Sequence, residues 1–172
     1  ALTKSGSEIE EAVERIYPMI TGAFSILVMT KDKILAIRDK FGIRPFSIGK
    51  LDGGYVLASE TCAFNPIGAE FLRDVAPGEM VVVDKDGLRG KKLVKGEQKL
   101  DIFEFVYFSR PDSTLLGKSV YEVRKEFGKQ LAREYPLEAD VVIPVPETAI
   151  PVAIGYASAR KLPFEAGLIK SR

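Results

Sequence analysis

The chain has 172 residues, 46% of them hydrophobic, enough for one ordinary core or two small ones. Lys and Arg number 25 against 24 Asp and Glu, with no run of like charge, so composition argues for neither nucleic-acid nor membrane-surface binding and any anion site must be local. There is no histidine and one cysteine, Cys62, so the chain cannot supply a Ser-His-Asp or Cys-His unit, the commonest zinc ligand or an intrachain disulfide, and a reducing, cytoplasmic setting is expected.

The first residues, "ALTKSGSEIEEAVERIYP", are acidic and helical, unlike a basic leader followed by an apolar stretch, and no window approaches about 18 apolar residues. Export and membrane anchoring are therefore not expected. Ser7 and Glu10 fit a capping box, and Ile9, Ala12, Val13 and Ile16 recur at helical spacing, which predicts an amphipathic helix over 8–17. Pro18 stands just past its end.

Five β-rich runs follow, at 22–29, 33–39, 45–50, 54–60 and 79–87, punctuated by turn pairs such as Asp52-Gly53 and Asp86-Gly87. Short turns join strands antiparallel, so this half predicts a meander. The stretch "KLDIFEFVYFSRPDSTLLGKS" is too aromatic for a floppy tether, and Phe103, Phe105, Tyr107 and Phe108 are expected to pack the two parts of the chain together.

The pattern changes near residue 115. Ser119 with Glu122 forms a second capping box, and Val120, Val123, Phe127 and Leu131 mark a helical stripe that ends before Pro136. Val141, Val142, Ile143 and Val145 then predict a buried strand, Ile150, Ala153, Ile154 and Ala157 a helix, and "PFEAGLI" the start of another strand. Such a βαβ unit implies a parallel sheet.

Chemistry has few places to sit. Pro146-Glu147-Thr148-Ala149 follows a strand and opens a helix, where free N–H groups and the positive dipole end favour a phosphate or pyrophosphate, with Thr148 the ligand-facing hydroxyl. The plainer alternative is that Thr148 or Glu147 simply caps the helix. Lys170 and Arg172, two apart at a strand end, would share a face able to hold a phosphate, or would be exposed strand-end charges. In "RDKFGIRP" Arg38, Asp39 and Arg44 surround a turn at Gly42 and read as charges organising that turn. Glu60 reads as a cap or ion-pair partner, and Cys62, with no activating base, as structural.

"RDKFGIRPFSIG" followed by "GYVLASETCAF" resembles the second half of a class II glutamine amidotransferase domain of the Ntn-hydrolase type. "GAEFLRDVAPGEMVVVD", "FEFVYFSRPDS", "SVYEVRKEFGKQLA", "DVVIPVPETAIPVAIGYA" and "GLIKSR" then resemble, in order, the amidophosphoribosyltransferases, or glutamine phosphoribosylpyrophosphate amidotransferases. The resemblance implies an α/β chain: the C-terminal part of an αββα glutaminase domain over 1–105, then a linker and the N-terminal part of a type I phosphoribosyltransferase domain over 106–172. It implies a glycosyltransferase that uses glutamine-derived ammonia to displace pyrophosphate from phosphoribosyl pyrophosphate. The product, 5-phosphoribosylamine, is the first committed intermediate of purine (IMP) biosynthesis.

Further expectations rest on the same resemblance. Thr148 matches the Ser/Thr of a P-[DE]-[ST] turn at the Mg²⁺–phosphoribosyl pyrophosphate site, and Lys170 and Arg172 match a K-N-R segment that contacts purine nucleotide inhibitors, with Ser171 in place of Asn. Some members carry a [4Fe–4S] cluster; Asp101 stands at the aligned ligand position, which argues against that cluster type here. Partners are expected to be phosphoribosyl pyrophosphate, glutamine and inhibitory purine nucleotides, without nucleic acid or membrane, in a homo-oligomer. The family's N-terminal Cys-Gly-Ile nucleophile, Asn-Gly oxyanion hole, Ser-Asp-Thr-Glu segment and Asp-Asp phosphoribosyl loop have no match, so no catalytic residue is carried over. The chain is expected to be an internal segment of such an enzyme, inactive alone. The alternative is a non-catalytic nucleotide-binding or regulatory protein on the same scaffold.

Overall fold

The computed structural model describes residues 8–171, which form two compact units that divide between Asp101 and Ile102. The first contains helix α1 (Ile9–Ile16) and strands β1 (Ser25–Met29), β2 (Lys33–Arg38), β3 (Ser47–Leu51), β4 (Gly54–Ala58), β5 (Glu70–Asp74), β6 (Glu79–Asp84) and β7 (Gly87–Lys92). Ser7 of the expected capping box lies outside the described residues; Glu8 takes the N-cap place without a side-chain cap.

Every pairing in this unit is antiparallel, as the short turns predict. The order is not a meander, however. Strands β1-β2-β6-β7 make one sheet and β4-β3-β5 a second, so the chain leaves the first sheet after β2 and returns to it as β6. The reason is visible in "KILAIR": β2 is apolar on both faces and needs cover on both. Leu35 and Ile37 pack with Met80 and Val82 against Val13 and Tyr17 from the helical side. Ala36 and Val81, on the opposite face, pack with Phe46, Ile48 and Val75 of the second sheet's side. Each large apolar side chain so buried contributes about 1.5–3 kcal/mol.

Strands β5 and β7 carry no apolar alternation and are both sheet edges. The β-rich run over 79–87 ends in a hairpin turn at the expected Asp86-Gly87 pair: Asp84 pairs with Gly87 across Lys85-Asp86, and Gly87 takes φ +111°.

The second unit begins with a single π-helical turn over Glu104–Phe108. Phe105 is inside, while Phe103, Tyr107 and Phe108 are 55%, 65% and 48% exposed. A two-residue-strand hairpin, β8 (Thr114–Leu115) with β9 (Lys118–Ser119), leads into α2 (Val120–Glu134). The Ser119 hydroxyl caps α2 by accepting the Glu122 N–H at 3.4 Å, as the sequence predicts.

The buried stripe of α2 differs from the expected one. Val120, Arg124, Gly128 and Ala132 are buried, Val123 and Phe127 are partly buried, and Leu131 is 43% exposed. A stripe at i, i+4, i+8 and i+12 places the smallest residues where α2 meets α3 (Ile150–Arg160). A Cβ built on Gly128 would stand 1.9 Å from the Val152 carbonyl oxygen, and one on Gly155 would stand 2.0 Å from that of Lys125. The two helices therefore touch backbone to backbone. The Tyr156 hydroxyl reinforces the pair, donating to Tyr135 O at 2.7 Å and accepting the Leu137 N–H at 3.1 Å.

The expected βαβ strands are reduced to one parallel bridge. Val142 pairs with Phe164, through Val142 N–H to Pro163 O at 2.9 Å and Glu165 N–H to Val142 O at 3.0 Å. Val141, Ile143 and Val145 are 43%, 48% and 68% exposed rather than buried, because no further strand among the described residues lies beside them.

Candidate functional site

The turn over 146–149 joins that bridge to α3, and the Pro146–Glu147 peptide within it is cis. The N-cap of α3 is Ala149, with no side-chain cap, so neither Glu147 nor Thr148 plays the capping role that was the plainer alternative. Ile150 N–H is spent on Glu147 O at 3.2 Å, and Pro151 has no N–H to give. The Thr148 and Ala149 N–H groups and the Thr148 hydroxyl find no acceptor among the described residues. Thr148 is half-buried and Glu147 exposed. Uncapped donors at the positive end of an 11-residue helix suit an anion.

Mg²⁺ takes oxygen ligands and commonly shares substrate phosphates. The turn offers the Thr148 hydroxyl and the Glu147 carboxylate, and no cluster of three or more His, Cys, Asp or Glu occurs among the described residues. Those groups suit a metal that arrives with a diphosphate better than a bare ion. A [4Fe–4S] cluster takes cysteine thiolates. Cys62 is the sole cysteine, it is buried, and its Sγ lies 3.9 Å from the Glu60 carboxylate as a weak donor, so this chain supplies no such ligand set around Asp101.

Lys170 is exposed and lies in an irregular segment rather than at a strand end, and Arg172 lies outside the described residues. The shared strand face expected for this pair is therefore absent at Lys170, because pairing stops at the Phe164 bridge.

The charges of "RDKFGIRP" do organise a turn, more deeply than the sequence suggests. Arg38 is 2% exposed, and its guanidinium donates to the carbonyls of Arg44, Gly42 and Val75. Burial lowers its pKa, opposed by the nearby Asp74 and Asp39 carboxylates. Asp39, also buried, accepts the N–H groups of Phe41 at 2.8 Å and Phe24 at 3.3 Å. Gly42 takes φ +55°, against Pro77 and Gln98. The Tyr17 hydroxyl donates to Arg38 O at 2.9 Å, and burial, then Asp39, raises its pKa. A cavity of about 490 Å³ beside this knot is lined by Tyr17, Thr21, Phe24, Asp39, Lys40 and Phe41. Its carboxylate is committed to backbone, and the Phe41 ring sits under the Lys40 and Lys99 ammonium groups at 4.7 and 4.5 Å.

Sequence reasoning missed a second buried polar network. Arg124, 2% exposed, donates to Phe105 O at 2.6 Å and Ser109 O at 2.7 Å, and the Ser109 hydroxyl donates to the buried Glu104 carboxylate at 3.0 Å. The network fastens α2 to the "FEFVYFS" segment. The available signal was Arg124 falling four residues after Val120 and four before Gly128, on the stripe that becomes buried.

A glutamine amidotransferase domain model matches residues 2–66. The amidophosphoribosyltransferase of Mycobacterium tuberculosis (strain H37Rv) is 46% identical over 165 residues, 96% of this chain and 31% of the relative. That of Archaeoglobus fulgidus is 43% identical over 166 residues, 96% of this chain and 36% of the relative. The solved glutamine phosphoribosylpyrophosphate amidotransferase from B. subtilis, complexed with ADP and GMP, superposes with a TM-score of 0.95 at 42% identity, covering 99% of this chain and 38% of that one. These relatives are homologues over nearly all of this chain, and the chain spans about a third of their length. The neighbour agrees with the expected α/β, Ntn-hydrolase-type fold class. No helix among the described residues is long and apolar enough to cross a membrane.

Proposed function

We propose that this chain, homologous over 96% of its length to amidophosphoribosyltransferases, is a segment of such an enzyme. In this reading the whole protein is a glycosyltransferase that makes 5-phosphoribosylamine and pyrophosphate from phosphoribosyl pyrophosphate and glutamine-derived ammonia, opening purine (IMP) biosynthesis in the cytoplasm. The carrying observation is the superposition of 99% of this chain on 38% of the B. subtilis enzyme, at a TM-score of 0.95.

Within that reading the segment contributes one wall of the diphosphate site. The Thr148 hydroxyl and the Thr148 and Ala149 N–H groups accept the diphosphate at the start of α3. Mg²⁺, when bound with the substrate, neutralises charge on the departing pyrophosphate. The turn itself holds the diphosphate in line for displacement at C1, so its contribution is positioning and charge stabilisation. Glu147 is the neighbouring oxygen donor for the metal–diphosphate. Lys170 and Arg172 contact inhibitory purine nucleotides, a role supported by the nucleotides named with the B. subtilis neighbour. The whole protein assembles as a homo-oligomer, and catalysis requires residues outside this segment.

The test is turnover by the full-length gene product. Glutamine-dependent and ammonia-dependent pyrophosphate release from phosphoribosyl pyrophosphate supports the reading. Nucleotide binding with no turnover from either nitrogen source overturns it in favour of a regulatory binding protein.

A further inference from the structure

We propose that Gly128 and Gly155 are positioning residues for the diphosphate turn, a proposal that rests on the function proposed for Thr148. The turn opens directly into α3, so the placement of that helix sets where the turn's donors stand. That helix is located by contact with α2 at Gly128 against Val152, and at Gly155 against Lys125. The contact lies within the first two turns of α3, about 6–11 Å along the axis from Thr148 at 1.5 Å per residue.

Helix α2 is itself fixed. Arg124, one turn before Gly128, anchors it to Phe105 O and Ser109 O, and Tyr156 ties its last turn to α3. Glycine is poor in helix interiors, by about 1 kcal/mol relative to alanine, so two at one crossing require a packing reason. Backbone contact supplies it. A methyl at Gly155 begins 2.0 Å from the Lys125 oxygen, and ordinary contact starts near 3.4 Å, so α3 must move by about 1.4 Å to accept it. The neighbour is a backbone carbonyl and cannot rotate away. Phosphate-binding groups work within roughly 0.5 Å of their productive placement, and a shift of about 1 Å can cost on the order of 100-fold in rate.

The experiment uses the full-length gene product with ammonia as nitrogen donor, comparing Gly155→Ala, Gly128→Ala, Thr148→Val and Val120→Ala. Val120 is buried against Phe105 and Leu115, away from the crossing, and controls for lost stability. The glycine variants are expected to raise KM for phosphoribosyl pyrophosphate by about 10-fold or more and to lower kcat/KM by on the order of 100-fold. Glutamine hydrolysis should be unchanged, and Val120→Ala should show a lower Tm with KM near wild type.

An equal KM rise in Val120→Ala, or wild-type KM in a folded Gly155→Ala, overturns the proposal. If Thr148→Val is also without effect, the function proposed for the turn fails instead. Should neither glycine variant fold, hydrogen exchange of the wild-type protein with magnesium pyrophosphate decides. Slowed exchange at both 149–153 and 125–129 supports the coupling, and slowing confined to 147–150 contradicts it.

Discussion

Replacing Arg38 by methionine should remove much of the first unit's stability, although its motif reads only as charges organising a tight turn. Its guanidinium satisfies three backbone carbonyls, those of Arg44, Gly42 and Val75. A hydrogen bond from a charged donor contributes about 1.5–3 kcal/mol; methionine removes it from the Arg44 and Val75 carbonyls, while Gly42 O keeps the Gln98 side-chain amide at 2.8 Å. Relief of the guanidinium's own desolvation offsets several kcal/mol of that loss, and the same burial is what lowers its pKa. The expected net loss is about 3–5 kcal/mol, a large share of the total for a domain of this size. Urea denaturation followed by far-UV circular dichroism is the assay. At an m-value of about 2 kcal/mol/M, the midpoint should fall by roughly 1.5–2.5 M. Arg44→Met, at the exposed arginine of the same motif, should cost less than about 1 kcal/mol. A midpoint shift for Arg38→Met no larger than for Arg44→Met would refute the reasoning, because it would mean the Arg44 and Val75 carbonyls find water or other donors at little cost.

Ser119→Ala removes the cap of α2 and should cost about 0.5–1 kcal/mol by the same denaturation assay, at the low end because the bond is 3.4 Å long. Asp84 is held below the ordinary carboxylate range, first by its hydrogen bond from Arg89 and then by the Asp86 N–H. Its contribution is thus complete above the unfolded value of 3.8 and is lost as pH falls from there through the lower folded value. Acid titrations should accordingly show wild type losing more stability than Asp84→Asn below about pH 4. Glu10 bridges Lys33 and Arg89, and Glu14 meets Lys91. Charge-neutralising Glu10→Gln should lower the midpoint at low salt and have little effect at 1 M salt. If the proposed nucleotide role holds, Lys170→Ala and Arg172→Ala in the full-length protein should weaken binding of purine nucleotides, read as a raised Kd; unaltered binding returns both to exposed charges.

What the sequence made legible follows from side-chain periodicity. Strands β1 to β4 and β6 have apolar runs and glycine turns, and α1, α2 and α3 have repeats and stops, so their existence was readable. Strands β5 and β7 were not, because an edge strand can be polar and still hold its place by pairing with a buried neighbour. How deeply charges would be buried was not readable. Arg38, Asp39, Glu104 and Arg124 are all 1–2% exposed, while a composition-based reading puts charges at the surface unless a partner is known. Some of their partners are backbone groups far away in sequence, such as Val75 O for Arg38 and Phe105 O for Arg124, which no local pattern reveals. The Thr148 turn was readable as a helix start, yet whether its donors were spent on a cap depended on Ala149 taking the N-cap position. Among the described residues the terminal run carrying Lys170 pairs only at Phe164, since an apolar run forms a strand only where a neighbour supplies the ladder.

The role proposed for the turn at the start of α3 is to hold the diphosphate of phosphoribosyl pyrophosphate. Ammonia-dependent pyrophosphate release by the full-length protein, wild type against Thr148→Val, tests it most directly. Loss of one hydroxyl that donates to a charged phosphate should lower kcat/KM for phosphoribosyl pyrophosphate by about 10- to 100-fold, with glutamine hydrolysis intact. Unchanged kcat/KM in a folded Thr148→Val would contradict it.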